Sequence, residues 1–226
     1  LDKGLVMLIN ADFSQSVMMT PEQYEWIPSP QKGVDRVMLD RIGAEKARAT
    51  SIVRYAPSSI FPPHNHPNGE EILVLGGTFS EQGHDYPAGW YLRNPDGTSH
   101  QPFSHDGAVI FVKLRQMSSV DDQTIRVNTN LIKAWHTENG QRICSLFQNE
   151  NEKVELRQIP MNDLLHIESD QLTEILILDG TLNINHQALP TGSWIRLAKN
   201  SNDWQITAKT QVKLYLKTMK NITNID

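Results

Sequence analysis

Short apolar runs rich in β-branched and aliphatic residues recur along the chain at Ala49–Tyr55, Glu71–Leu75, Val109–Leu114, Arg142–Phe147, Val154–Ile159, Glu174–Leu178, Thr181–Asn185 and Gln211–Met219. Glycine, proline, asparagine and aspartate punctuate them. Runs of this length, bounded by turn formers, read as strands. No long segment keeps a helical period, and MTPEQYEW at 19–26 predicts one helical turn at most. Many short strands at regular spacing predict an all-β sandwich or barrel.

The pattern repeats. A shift of 103 residues without a gap lays Arg54 over Arg157, Pro57 over Pro160 and EEILVLGGTF over TEILILDGTL. Pro87, Gly89 and Arg93 then meet Pro190, Gly192 and Arg196. Two unrelated apolar strands would not also align the Arg, Pro and Gly positions around them. The repeat predicts two β-domains of one fold, 1–118 and 119–226, with the polar SSVDDQT at 118–124 as linker. Gly77 and Gly180 suit a hairpin corner or bulge where a side chain would obstruct the bend. Arg54 and Arg157, matched across the repeat, suit structural ion pairs.

Composition narrows the partners. The 226 residues carry a net charge of −5, which disfavours binding nucleic acid or an anionic membrane through the bulk field. A protein or a small molecule is the expected partner. Cys144 is the single cysteine, so an intramolecular disulfide, a CxxC pair and a cysteine-rich zinc cluster are excluded. Its apolar run, RICSLF, suggests a buried hydrophobe rather than a sensor thiol. GLVMLI at 4–9 is too short for a signal-peptide core, and no run reaches the roughly 18 apolar residues of a membrane span. The expectation is a soluble cytoplasmic protein.

Candidate chemistry concentrates in PPHNHPNGEE at 62–71. In a strand, residues i and i+2 share a face, so His64 and His66 present two imidazoles side by side. Neutral imidazole suits Zn, Fe, Ni, Cu and Mn. Glu70 or Glu71 could return across a turn and add a charged oxygen. Only one of two adjacent strand residues can enter the site. His100 ends a second glycine-punctuated segment, NPDGTSH, and could complete the set. His105, in SHDG, is a reserve. His84, His136, His166 and His186 read as surface or structural groups.

These spacings resemble the cupin motifs. His64-x-His66-xxx-Glu70-xxxxxx-Gly77 is similar to the first and Gly89-xxxxx-Pro95-x-Gly97-xx-His100 to the second. The resemblance implies a double-stranded β-helix (jelly roll), here in two tandem copies, with metal ligands His64, His66, Glu70 and His100. Two positions depart from the family: Ser58 replaces a glycine before the first histidine, and Ser104 an asparagine after the last. The glycine count favours Glu70 over Glu71, and so does the repeat. Glu71 has a counterpart in Glu174, whereas Glu70 faces Thr173 in a half that has lost the other ligands. Glu71 is then a structural acid, paired with an arginine across the sheet. The shift places Ile167, Ser169, Thr173 and Asp203 under the four ligands, so the second domain is expected to keep the barrel without this metal site.

Residues 26–116 resemble more narrowly the cupin domain of ChrR-type anti-sigma factors. That resemblance implies zinc binding and a part in releasing an extracytoplasmic-function sigma factor under singlet-oxygen stress. The family's sigma-binding part is a separate helical zinc domain. Residues 1–50 contain neither histidine nor cysteine, so direct sequestration is not expected of them. The resemblance puts zinc first, and the donor set also admits iron, nickel or manganese. Two roles follow: a regulatory zinc domain with a protein partner, or a non-haem Fe(II) dioxygenase acting on a diketone or aromatic ketone. A homodimer through edge strands is compatible with either.

Overall fold

The structure is a computed structural model describing residues 7–44, 46–201 and 204–222. Part of the GLVMLI run and Asp203 lie outside the described residues. Among the described residues there is no α-helix. The single helical turns are 3₁₀ turns at Pro21–Gln23, inside the segment expected to hold one, and at Ile132–Ala134. Among the described residues no helix is long and apolar enough to cross a membrane.

Every run read as a strand is one. The described residues divide into two compact units. One draws on the segment up to Ala11 and on Glu25–Asn130; the other on Asp12–Tyr24 and Leu131–Ile222. In the first, an antiparallel sheet runs in the order Val34–Ile42, Arg48–Tyr55, Ala108–Leu114, Glu70–Glu81, Trp90–Asn94 and Ile125–Asn128. In the second, the order is Gln141–Gln148, Glu152–Ile159, Val212–Met219, Leu172–Asp179, Trp194–Leu197 and Val17–Met19. Residues 119–130, around the boundary expected at 118/119, thus continue the first unit, and Val17–Met19 completes the sheet of the second.

The repeat is reproduced in the strand register. Glu70 pairs with Asn94 and Glu71 with Arg93; 103 residues on, Thr173 pairs with Leu197 and Glu174 with Arg196. Each unit turns its barrel corner the same way. The long strand Glu70–Glu81 slips register against Ala108–Leu114 just before Gly77, then pairs with Pro102–Ser104 and His84–Pro87. Leu172–Asp179 slips likewise just before Gly180. At the corner, Gly77 takes φ +65° and Gly180 φ +89°. A Cβ there would lie 2.0 Å from the Gly107 carbonyl oxygen or 2.2 Å from that of Gln211. Backbone approach this close excludes any side chain, so both copies need glycine.

Alternation along the strands fills each barrel. Val34, Tyr55, Ile72, Val74, Leu92, Ile110 and Val112 form the first core; Ile175, Ile177, Leu182, Ile195, Leu214 and Leu216 belong to the second. Ile167, under His64 in the repeat, packs against that second core. Cys144 is fully buried, and burial pushes its thiol up to about 11, which fits a hydrophobe rather than a nucleophile.

The arginines matched across the repeat both make ion pairs. Arg54 bonds Asp35 at 2.8 Å and stacks over Trp26, while Arg157 bonds Glu155. Glu71 is buried against Arg93, with Oε2 to Nη1 at 3.4 Å. Arg93 also reaches Asp121 at 2.8 Å. In the second unit Glu174 accepts a hydrogen bond from Trp194 Nε1 at 2.7 Å.

Candidate metal centre

Local hydrogen bonding assembles the site. The two-residue strands His64–Asn65 and Ser99–His100 pair with His64 opposite His100. The His66 N–H donates to the Thr98 carbonyl at 3.0 Å, tying the first motif to the second. A turn closed by Gly69 N–H on the His66 carbonyl at 2.9 Å then delivers Glu70 to the start of the long strand. One donor atom from each of His64, His66, Glu70 and His100 lies within 4.8 Å of the others. All but His64 are buried.

The second nitrogen of each imidazole is already committed. His64 Nδ1 is 2.9 Å from the Pro62 carbonyl oxygen, which can only accept. His66 Nδ1 is 2.8 Å from Thr98 Oγ1, whose own proton goes to the Pro95 carbonyl. His100 Nδ1 bonds the Glu81 carboxylate. Each Nδ1 therefore carries the proton, and each Nε2 directs a lone pair inward. His64 and His100 Nε2 approach to 3.1 Å. Glu70 Oε2 lies 3.3 Å from His66 Nε2 and 3.4 Å from His100 Nε2. His66 Nε2 is buried with no hydrogen-bond partner. Three lone pairs and a carboxylate repel one another unless a cation sits between them. The donor set thus fits a divalent metal, with three nitrogens and one oxygen.

Electrostatics agree. Burial, only partly offset by Glu70, holds His66 below its ordinary pKa, so it stays neutral and able to ligate. Burial also disfavours charge on His100, but the Glu81 hydrogen bond and the charges of Glu70 and Glu81 outweigh it and raise its pKa. Surroundings that favour a proton there favour a metal cation too.

Glu81 and Arg126 escaped sequence reasoning. Glu81 ends the long strand, beyond the Gly77 corner that folds it back toward His100, and no motif spacing marks it. Arg126 bonds Glu81 at 2.6 Å and Asn94 at 2.7 Å, while Asn94 Nδ2 donates to Glu70 Oε2 at 3.2 Å. One chain of bonds therefore holds a histidine and the carboxylate together. Burial tends to raise the Glu81 pKa, but His100 and Arg126 hold it below the usual carboxylate range. Glu81→Gln is expected to weaken divalent-ion affinity by about 10- to 100-fold, measured by competition with a chromophoric chelator. Unchanged affinity would show that Glu81 does not orient His100.

The cluster forms part of the wall of a cavity of about 630 Å³ within the first unit, whose lining also includes the apolar side chains of Val53, Phe61, Ile72, Phe79, Ile110 and Val112. Phe61 stands edge-on to His64 at 5.2 Å. On the other side of the cluster a smaller polar cavity of about 260 Å³ is lined by Glu81, Asn94, Thr98 and Arg126. His105 is exposed and outside the cluster, as are His84, His136, His166 and His186.

The family comparison matches residues 14–118 to the ChrR cupin-like domain. This part of the chain is similar to that domain. No curated protein matches the chain. Among solved structures, a putative dioxygenase from Nostoc punctiforme superposes with TM-score 0.75 at 12% identity, over 93% of this chain and 85% of that one. The nickel(II) complex of the pirin YhhW from Escherichia coli gives 0.68 at 12%, over 91% and 99%. Protein Ylba from Escherichia coli gives 0.69 at 14%, over 98% and 97%. These likenesses establish the cupin fold across both units.

The two departures from the cupin motifs are accommodated locally. Ser58 takes φ +59°, the left-handed region that explains a glycine preference at this position. Ser104 is buried and donates to the Thr78 carbonyl at 2.7 Å, away from the cluster. Neither change touches a donor atom.

Proposed function

We propose that the first unit holds a divalent metal on His64, His66, Glu70 and His100 and uses it to oxidise a small organic molecule bound in the barrel. The reaction class is oxygenative cleavage, in which one C–C bond of a ketone substrate breaks and both atoms of O₂ enter the two products. The observation that carries this reading is the cavity of about 630 Å³ with the four donors in its wall. A purely structural site has no need of such a chamber. When bound, Fe(II) would supply positions for O₂ and for a chelating oxygen of the substrate. The chain's own part is to fix three Nε2 lone pairs through Pro62, Thr98 and Glu81, and to surround the substrate with apolar side chains. The pirin neighbour holds nickel(II) on this fold.

The family match favours a second reading. A ChrR-like domain with zinc on the same four residues would be regulatory, with a protein partner in a sigma-factor system. Metal analysis of the full chain, followed by anaerobic Fe(II) loading and oxygen-uptake assays with pentane-2,4-dione and 2-hydroxyacetophenone, separates the two. Substrate-dependent uptake is the expected result. Stoichiometric zinc, with no uptake by any Fe(II)-loaded sample, would assign the regulatory role.

A further inference from the structure

The cavity beside the metal cluster is apolar over most of its wall but one-sided in charge. Arg36, Arg41, Lys46 and Arg115 line it. Glu70 is the one carboxylate among its described lining residues, and it is engaged by Asn94 and the imidazoles. Arg36 is placed with unusual consequence. It lies on Val34–Ile42, opposite Val53, and shares a strand face with the core residue Val34. The intervening Asp35 points the other way and pairs with Arg54. Arg36 therefore extends from the inner face of the barrel, where an arginine serves no packing need. Its Nε is buried and has no hydrogen-bond partner among the described residues.

A buried guanidinium N–H left unsatisfied costs stability. The planar fork of arginine fits a carboxylate through two parallel bonds. Cations around a low-dielectric chamber also concentrate positive potential inside it. We propose that the cavity takes a small amphiphilic carboxylate, its anionic end on Arg36 and its apolar body against Val53, Ile110 and Val112. The inference rests on the reading of this cavity as the ligand chamber of the metal centre. In the oxygenase reading, the substrate is then a carboxylate-bearing ketone.

The test is calorimetric titration of the full chain, metal-free and metal-loaded, with 4-phenylbutyrate and with 4-phenylbutan-1-ol, which differ only in the head group. The acid is expected to bind at least tenfold more tightly than the alcohol in both forms. Arg36→Met should cut that preference below threefold, Arg36→Lys should keep part of it, and metal content and alcohol affinity should be unchanged. Equal binding of acid and alcohol, or binding of neither, overturns the proposal. So does an acid preference that needs the metal and survives Arg36→Met, since the anion then sits on the metal. An Arg36-dependent preference in a chain that holds no divalent ion upholds the carboxylate site and instead removes the metal-centre reading.

Discussion

His66→Ala is expected to abolish stoichiometric divalent-metal binding while leaving the first barrel folded. His66 supplies one of four converging donors, and its Nε2 is buried without a hydrogen bond to anything else. Removing an outer partner of a ligand already costs about 10- to 100-fold in affinity, so removing a donor should cost more and empty the site on dialysis. The cost to the fold is smaller. The side chain borders an existing cavity rather than close-packed core, and its one well-formed bond is to Thr98. The main-chain bond from His66 to Thr98, which ties the two motifs, does not need the imidazole. Metal content by mass spectrometry after dialysis, alongside a urea melt, checks both halves. Full occupancy in the variant would mean that the ligand set is wrong.

What the sequence revealed follows from what periodicity encodes. Each long strand buries one face in a barrel core, so its alternation is written in the residues, and Gly77 and Gly180 mark corners no side chain can occupy. The register also carried the metal motif, because His64, His66, Glu70 and His100 are fixed by short local turns and a single strand pairing. Three- and four-residue strands such as Val17–Met19 and Ile125–Asn128 are too short to show a period. Their assignment to a unit depends on pairing with Trp194–Leu197 and Trp90–Asn94. Glu81, Arg126 and Arg36 were silent for a related reason. Each meets the site only after the chain has folded back on itself, and a lone acid or arginine in a strand has no spacing to betray it.

The adjacent acids Glu70 and Glu71 should separate cleanly by experiment. Glu71→Gln is expected to destabilise the fold by about 3 kcal/mol, near the lower end of the cost of breaking a buried ion pair, while metal content stays full. Glu71 is 3% exposed and faces Arg93, which is 1% exposed. Arg93 keeps Asp121 as a second partner, which is why the loss should not reach the upper end of that range. Glu70→Gln should do the opposite. It removes the one negative donor from the cluster and should lower metal affinity at least 100-fold, by more than the loss of an outer partner does. The metal-free fold should change little, because an amide in place of Glu70 no longer opposes the lone pairs of His66 and His100. Urea midpoints of the metal-free proteins and competition titrations of each variant give the two readouts independently. The pairing behind the contrast is geometric: neighbouring residues on one strand point to opposite faces, so the same dipeptide sends one carboxylate to the imidazoles and the other to the sheet. Metal loss in Glu71→Gln with retention in Glu70→Gln would reverse the assignment and require the strand to be out of register by one residue.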